Sequence, residues 1–193
     1  MTGPFPPAVI DTPRLVLRAA GPVYAAALAG LLADSRGDLA VWLDWEPKQR
    51  TVAELEDWGR RADAAWGERR AFEWWAFDRA ERLVAGVGLH TWDWAVPRAD
   101  LGYWGRTPDL GCGLVTEAVR AVCDVAFAAL GVKRLQAFCD ARNLPSCCLA
   151  ERCGFLREGL LQQYERDPRG ELCDQVLYAK FPRGESIPGE RPA

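Results

Sequence analysis

The sequence is poor in the side chains that bind metals. It has a single histidine, His90, and none of its seven cysteines forms a C-x-x-C pair. A zinc site needs several such ligands close together, so the sequence predicts no metal site. An odd number of cysteines, mostly within apolar patterns, indicates buried reduced thiols rather than disulfides. These cysteines are Cys112, Cys123, Cys139, Cys147, Cys148, Cys153 and Cys173.

Long apolar runs and an excess of basic residues are also absent. No apolar stretch approaches the ~20 residues that cross a bilayer. The 24 basic and 27 acidic residues leave a net charge of −3, which argues against a nucleic-acid or membrane partner, since these usually need a basic patch. The first residues, MTGPFPPAVI, lack the basic start and apolar centre of a signal peptide. We therefore expect a cytoplasmic protein.

The length fits one domain. A chain of 193 residues can bury a real core but is short for two domains. No internal repeat is visible, and the last residues, PRGESIPGERPA, have little apolar content. We predict a single domain over 1–193, with its core at about 12–181 and tails at 1–11 and 182–193.

Apolar periodicity predicts a mixed order of strands and helices. Strands are predicted at about 14–20, 71–78, 83–92, 99–105, 134–140, 156–164 and 172–181. Helices are predicted at about 22–34, 52–69, 113–130 and 145–152, with an irregular first segment at 1–13 and a loop or short-helix region at 35–50. Thr51 and Glu54 have capping-box spacing, which marks the start of the second helix.

This order predicts an α+β fold. The consecutive strands in the middle of the chain favour a mostly antiparallel sheet. The strand-helix-strand step over 99–140 predicts one parallel pair in the middle of that sheet, joined by a right-handed crossover.

A glycine turn is the most informative local feature. The stretch reads GYWGRTPDLGCGLVTEAVRAVCDVAFAALG, and it places Gly111 and Gly113 directly before an amphipathic helix. The first N–H groups of a helix lack intrahelical partners and attract anions, and glycines would let a phosphate approach them closely. Arg106 could add a charge-assisted hydrogen bond. The alternative is a tight turn without a ligand, because Thr116 breaks the G-x-G-x-x-G pattern and no P-loop lysine follows.

Two motifs together resemble a known family. LGCGLVTEA after ADLGYWG, followed by NLPSCCLAERCGF after a strand, is similar to the GNAT superfamily of acetyl-CoA-dependent N-acetyltransferases. The sequence looks closest to the RimJ/RimL-type group, which acetylates the N-terminal amines of ribosomal proteins. The likeness runs from TPRLVLRAA to CDQVLYAKF. It implies αβα layers, namely one twisted, mostly antiparallel mixed sheet with helices on both faces and splayed central strands.

The resemblance also implies a coenzyme site. In the family, the glycine loop holds the coenzyme A pyrophosphate on backbone amides, and the preceding strand pairs with the pantetheine arm through its backbone. Pro108 departs from the family pattern, which usually has Gln or Arg there. The residues that would bind acetyl-CoA are Tyr103, Trp104, Gly111, Cys112, Gly113, Leu114, Val115, Thr116 and Asn143.

The catalytic residues are implied in the same way. Asp100, on the central strand, would act as the general base, with His90 as a second candidate. Many members protonate the leaving thiolate with a tyrosine at the position of Ala150, whereas the RimL-like group offers a serine, which fits Ser146. Asn143 would bridge coenzyme and substrate, although Asn and Ser at this point are also typical helix caps.

Four tryptophans fall in segments that similar proteins place around the acceptor. Trp42, Trp45, Trp92 and Trp94 would therefore line the substrate site, with the alternative that half of these rings belong to the core.

The sequence therefore predicts direct acetyl transfer to a primary amine in a ternary complex. The preferred acceptor is the N-terminus of a ribosomal or other protein. Small amines such as an aminoglycoside, a polyamine or a toxin are the alternative acceptors. A non-catalytic acyl-CoA sensor and a thiol-redox protein are the alternatives of other classes, and a homodimer is left open.

Overall fold

The computed structural model describes residues 5–43 and 50–182. Within them the strands are β1 (Val9–Asp11), β2 (Leu15–Ala19), β3 (Phe72–Asp78), β4 (Leu83–Asp93), β5 (Arg98–Gly105), β6 (Arg134–Asp140), β7 (Leu156–Arg166) and β8 (Leu172–Lys180). The helices are α1 (Ala25–Trp42), α2 (Val52–Gly67), α3 (Leu114–Ala128) and α4 (Leu144–Arg152). Short 3-10 turns lie at Pro22–Tyr24 and Thr107–Asp109.

The strands form one sheet in the order β1-β2-β3-β4-β5-β6-β8-β7. Every neighbouring pair is antiparallel except β5 and β6, which are parallel and joined by α3. The α+β architecture with one central parallel pair, predicted from the element order, is confirmed.

Helices cover both faces of the sheet, because successive strand residues point to opposite faces and each face has its own core. One core joins α3 and α4 to strand residues such as Leu17, Trp74 and Leu135. The other joins α1 and α2 to Trp75 and Phe77. None of the helices in the described ranges is long and apolar enough to span a bilayer.

The first helix is longer than its sequence predicts. The region over 35–50, predicted as a loop or a short helix, is part of the long helix α1 as far as Trp42. Ser35 is buried and its Oγ accepts a hydrogen bond from the Thr107 N–H at 2.9 Å, and Leu39 is buried in the second core. These long-range contacts outweigh the low helix propensity of Gly37.

The N-terminal segment also differs from its prediction. Residues 1–13 are predicted to be irregular, yet Val9–Asp11 pairs in register with Val16–Arg18 as the edge strand β1. The sheet therefore begins before residue 12. At the other end, residues 183–193 of the predicted tail lie outside the described residues.

Candidate active site

Two neighbouring strands separate in the middle of the sheet. β5 and β6 pair only where Arg98–Asp100 lie beside Arg134–Gln136, although β5 continues to Gly105 and β6 to Asp140. A cavity of about 450 Å³ opens beside the separated halves. Its wall also includes the end of α1 and the turn between β7 and β8. The predicted splay of the central strands is present.

The glycine loop lies where β5 leads into α3. Gly111 and Gly113 have φ angles of +81° and +79°, in the left-handed region that other residues rarely adopt. Gly113 is the N-cap of α3 and supplies no side-chain cap, so the first N–H groups of the helix have no intrahelical acceptor. Gly111, Cys112 and Gly113 are all exposed. The loop therefore presents open backbone donors at the positive end of a helix dipole.

An ion pair from the start of the sheet holds this loop in place. Arg14 donates from Nε to Glu117 Oε2 at 2.5 Å and from Nη1 to the carbonyl oxygen of Cys112 at 2.8 Å. The Arg14 N–H and the Thr12 hydroxyl also donate to Glu117 Oε1. Burial acts to raise the pKa of Glu117, but these donors outweigh it and hold the pKa below its usual value. The first turn of α3 is thereby fixed against the turn between β1 and β2.

Arg106 does not point to the loop as its position in the sequence suggests. It forms ion pairs with Asp34 on α1 at 2.6 Å and with Asp109 at 2.7 Å. These pairs tie the short turn that contains Pro108 to the first helix.

Hydroxyl groups cross the gap between β5 and α4. The Tyr103 hydroxyl donates to the carbonyl oxygen of Ser146 at 2.9 Å, and Ser146 Oγ lies 3.1 Å from the Tyr103 oxygen and 3.3 Å from Cys139 Sγ. All three side chains line the cavity. Burial raises the pKa of Tyr103 and of Cys139, so both stay protonated near neutral pH. Ser146 and Tyr103 thus offer protons at the place where the strands diverge.

Asn143 caps the helix that carries Ser146. Its Oδ1 accepts a hydrogen bond from the Ser146 N–H at 3.1 Å, and the residue lines the cavity. The capping role anticipated from sequence is present, and Nδ2 is the donor that Asn143 can offer a ligand. Ala150, on the inner face of the same helix, is fully buried.

Asp100 and His90 lie opposite each other on β5 and β4. His90 lines the cavity, whereas Asp100 is not among the lining residues and accepts a hydrogen bond from Gln136 Nε2 at 2.6 Å. Desolvation by the surrounding walls lowers the pKa of His90, against the opposing charge of Asp100. A neutral imidazole therefore faces the cavity near neutral pH.

The structure separates the tryptophans expected at the acceptor site. Trp42 lines the cavity, and Trp45 lies outside the described residues. Trp92 and Trp94 stack on each other at 4.5 Å and pack on the opposite core, so the structure does not bring them to the cavity. β4 has a bulge between His90 and Asp93, with Thr91 at a φ of +52°. Trp92 and Trp94 therefore do not point to the faces of the sheet that strict alternation along the strand would give them.

Sequence reasoning missed three groups. The sequence predicts a role for the backbone of Tyr103 and none for its hydroxyl. Glu73 on β3 lines the cavity and was not singled out, although a carboxylate inside the apolar run AFEWWAFD is unusual enough to have found it. The cavity also takes in Trp58 from α2, which no sequence motif marked.

The cysteines divide by exposure. Cys112 and Cys148 are exposed, and the other five are buried and unpaired. Burial raises the pKa of Cys123 to about 12, and it also raises the pKa values of Cys153 and Cys173. The interpretation as inert buried thiols fits these five.

Known proteins show clear likenesses. A family model described as an acetyltransferase (GNAT) domain matches residues 14–156. The uncharacterized N-acetyltransferase p20 of Bacillus licheniformis is 30% identical over 103 residues, which make up 53% of this chain and 57% of that protein. The chain therefore spans about half the length of this curated relative.

Solved structures have the same architecture. The microcin C7 self-immunity acetyltransferase MccE, in complex with acetyl-CoA and AMP, gives a TM-score of 0.84 at 24% identity over 91% of this chain and 97% of that one. RimL, a ribosomal L7/L12 alpha-N-protein acetyltransferase in complex with coenzyme A, gives 0.83 at 22% identity over 90% and 97%. At these identities the likeness shows the fold.

Proposed function

The chain belongs to the GNAT acetyltransferase family, and we propose that it transfers the acetyl group of acetyl-CoA to a primary amine, preferably the N-terminal amine of a protein. The observation that supports this most is the position of the strand gap. An exposed loop with left-handed glycines at the N-terminus of α3 lies at one end of β5, and a pair of hydroxyl donors lies beside the same strand. The glycine loop suits a pyrophosphate, and the hydroxyl pair suits a thioester. Both lie along β5 in the order that a bound acetyl-CoA would need.

The coenzyme would run along the separated edge of β5. Its pyrophosphate would accept hydrogen bonds from the loop amides of 111–116, and its pantetheine arm would pair with the backbone at Tyr103 and Trp104. The hydroxyl of Ser146 would protonate the leaving thiolate, and Asn143 Nδ2 would hold the coenzyme against the acceptor. Transfer would be direct, without an acyl-enzyme.

An α-amino group suits such a site better than a lysine side chain. Its reference pKa of about 7.7–8.0 is far below the lysine value of about 10.4, so removing its proton near neutral pH costs less free energy. The test is a peptide with a free N-terminus and an internal lysine, compared with the same peptide blocked at the N-terminus. We expect mass spectrometry to locate the acetyl group on the α-amine, and modification of the blocked peptide at lysine would contradict this preference.

A small cationic amine is the second candidate acceptor. The observation that favours it is the aromatic lining of the cavity, about 450 Å³ with the rings of Trp42, Trp58 and Trp104 in its wall. Aromatic rings hold organic cations well. Acetylation of polyamines or aminoglycosides without any acetylation of peptides would identify this class instead.

Acetyl-CoA should protect one specific cysteine from alkylation. Cys112 is exposed inside the glycine loop, so a bound pyrophosphate would cover it. We expect saturating acetyl-CoA to slow its modification by iodoacetamide about 10-fold or more, because only the free fraction of the protein reacts. Peptide mass spectrometry reads the rate, with exposed Cys148 on α4 as the internal control. Equal rates at Cys112 with and without acetyl-CoA would place the coenzyme elsewhere.

The Arg14 contact should contribute moderately to coenzyme affinity. Arg14→Ala removes the donor that fixes the Cys112 carbonyl, and we expect the Kd for acetyl-CoA to rise about 3- to 10-fold, the size of one or two net hydrogen bonds. Calorimetry measures the Kd. Arg60→Ala on α2 is the matched control, since Arg60 also pairs with a carboxylate, Asp57, but far from the loop. An unchanged Kd in Arg14→Ala would show that the glycine loop keeps its geometry without the Arg14 contact.

A further inference from the structure

The carboxylate of Glu73 on β3 lines the cavity next to two tryptophan side chains. The Trp75 indole N–H donates to Glu73 Oε1 at 2.8 Å, and the Trp58 side chain is a second hydrogen-bond partner of the carboxylate. The remaining surface of Glu73 opens into the cavity. The side chain is partly buried, and a partner for its charge can reach it through the cavity.

Two glycines connect Glu73 to the gap between the strands. Glu73 is in register with Gly88 on β4, and Gly88 is in register with Gly102 on β5. Since neighbouring strands lie about 4.8 Å apart, the row extends about 10 Å from Glu73 to the edge of β5. With no side chains at two of its three positions, the row forms a trough in the cavity floor. We call these three residues the glycine trough.

The trough has room for one small group between two ionisable side chains. A Cβ atom built on Gly88 would lie 3.9 Å from Glu73 Cγ and 3.9 Å from His90 Nδ1. One built on Gly102 would lie 3.1 Å from His90 Cε1. A nitrogen atom seated above Gly88 would therefore be within reach of the Glu73 carboxylate while it faces β5, the strand proposed to hold the thioester.

We propose that Glu73 is the general base of the transfer and accepts the proton of the acceptor amine in the glycine trough. This assignment rests on the proposed function. It replaces Asp100, the base implied by the family resemblance, which is not among the lining residues and accepts a hydrogen bond from Gln136 Nε2.

The electrostatics around Glu73 suit a base. Burial raises its pKa, and the hydrogen bonds from Trp75 and Trp58 offset part of that rise. A carboxylate with a raised pKa takes a proton more readily near neutral pH. His90 is the titratable group that faces Glu73 across the trough, and it is neutral there because desolvation lowers its pKa.

The other ionisable groups of the cavity lie on its far wall. They are Tyr103, Cys139, Asp140, Glu165, Arg166, Asp167 and Cys173. Asp140 and Asp167 are both held by Arg142, at 2.6 and 2.9 Å. One guanidinium leaves this pair of carboxylates with a net charge of −1, and Glu165 adds a further carboxylate on the same wall, whereas Glu73 is the carboxylate that the trough presents to an amine.

The proton balance of the step is complete. The acceptor enters as an ammonium, gives one proton to the Glu73 carboxylate and attacks the thioester carbonyl as a neutral amine. The new C–N bond forms, the C–S bond breaks, and the nitrogen loses its second proton to the Ser146 oxygen as that hydroxyl gives its own proton to the thiolate. The thiolate takes up one proton by way of Ser146 and leaves as the coenzyme thiol. Glu73 then returns its proton to solvent through the cavity.

The test compares Glu73→Gln with the unmodified chain on one α-amino acceptor over a range of pH. The glutamine oxygen can still accept both indole hydrogen bonds, so the fold and the Kd for acetyl-CoA should be unchanged. We expect kcat/KM for the acceptor to fall about 100-fold at pH 6.5, the usual size of general-base catalysis. Above the amine pKa of about 8, solvent deprotonates the acceptor and the deficit should shrink below about 5-fold. Glu56→Gln on the outer surface of α2 is the control.

Each outcome separates the two proposals. A pH-dependent deficit in Glu73→Gln with intact acetyl-CoA binding supports the assignment. Full activity of Glu73→Gln at pH 6.5, or a pH-rescued loss in Asp100→Asn alone, would overturn it and leave the proposed function standing. A loss that is equal at all pH values would make Glu73 a structural residue. Failure of the unmodified chain to bind acetyl-CoA would overturn the proposed function and the assignment with it.

Discussion

Gly113→Trp is expected to abolish the stabilisation of the protein by acetyl-CoA. Gly113 has a φ of +79° and caps α3, so any side chain there is strained and would occupy the approach to the helix N–H groups. At a concentration 100 times the Kd, acetyl-CoA stabilises a folded protein by about 2.7 kcal/mol, which is a shift of several degrees in Tm. We expect that shift in the unmodified chain and none in Gly113→Trp, measured by thermal unfolding with and without acetyl-CoA.

The control for backbone strain lies at the other end of the same helix. Gly131 has a φ of +68°, and no atom of the described residues lies within 4 Å of a Cβ placed on it, so Gly131→Trp carries similar strain and bulk. It should lower Tm in the absence of ligand while keeping the full shift with acetyl-CoA. An equal shift in Gly113→Trp would mean that the turn binds no phosphate and that its glycines serve only the chain reversal.

Ser146→Ala is expected to lower kcat about 100-fold or more. The Ser146 hydroxyl lies 3.1 Å from the Tyr103 oxygen at the strand gap, where the leaving thiolate is proposed to form. Loss of a positioned general acid typically costs this much in rate. The cap of α4 uses the Ser146 backbone N–H, which alanine keeps, so the Kd for acetyl-CoA should change less than about 3-fold. Release of the coenzyme thiol, followed with saturating acceptor, measures kcat.

Cys148→Ala is the matched control, because Cys148 is exposed on the same helix and faces away from the cavity lining. It should retain the activity of the unmodified chain. Tyr103→Phe distinguishes the two hydroxyls. If Tyr103→Phe loses the rate and Ser146→Ala keeps it, the phenol is the acid and the proposed role of Ser146 is wrong.

Local signals predicted much of the fold. The capping box of Thr51 and Glu54 forms with both of its hydrogen bonds, and α2 begins at Val52 next to it. The glycine pair directly precedes α3, as the sequence predicted, and both glycines have left-handed φ angles. The single crossover helix between two strands gave the one parallel pair. Such features depend on a few neighbouring residues, so a sequence specifies them directly.

Features that depend on register were not predictable in the same way. The glycine trough exists because Glu73, Gly88 and Gly102 face each other across three strands, and no local pattern fixes that alignment. The bulge near Thr91 likewise decides which face receives Trp92. The glycine trough and the bulge both depend on how distant segments pair. A shift of the pairing by one residue would move every side chain of a strand to the opposite face of the sheet.

The extension of α1 has the same origin. The segment up to Trp42 contains weak helix formers, and the contact of Ser35 with Thr107 that supports it comes from 72 residues away. Tertiary contacts override local propensity at such positions. The same limitation applies to the Tyr103 hydroxyl, whose importance depends on the approach of α4 to β5.

The most direct test of this account is calorimetric titration of the unmodified chain with acetyl-CoA. The open glycine loop and the gap between β5 and β6 predict one-to-one binding with a Kd on the order of micromolar, or about −8 kcal/mol. A folded protein that gives no binding signal with millimolar acetyl-CoA would contradict the coenzyme site, and the transfer reaction proposed for this chain would lose its basis.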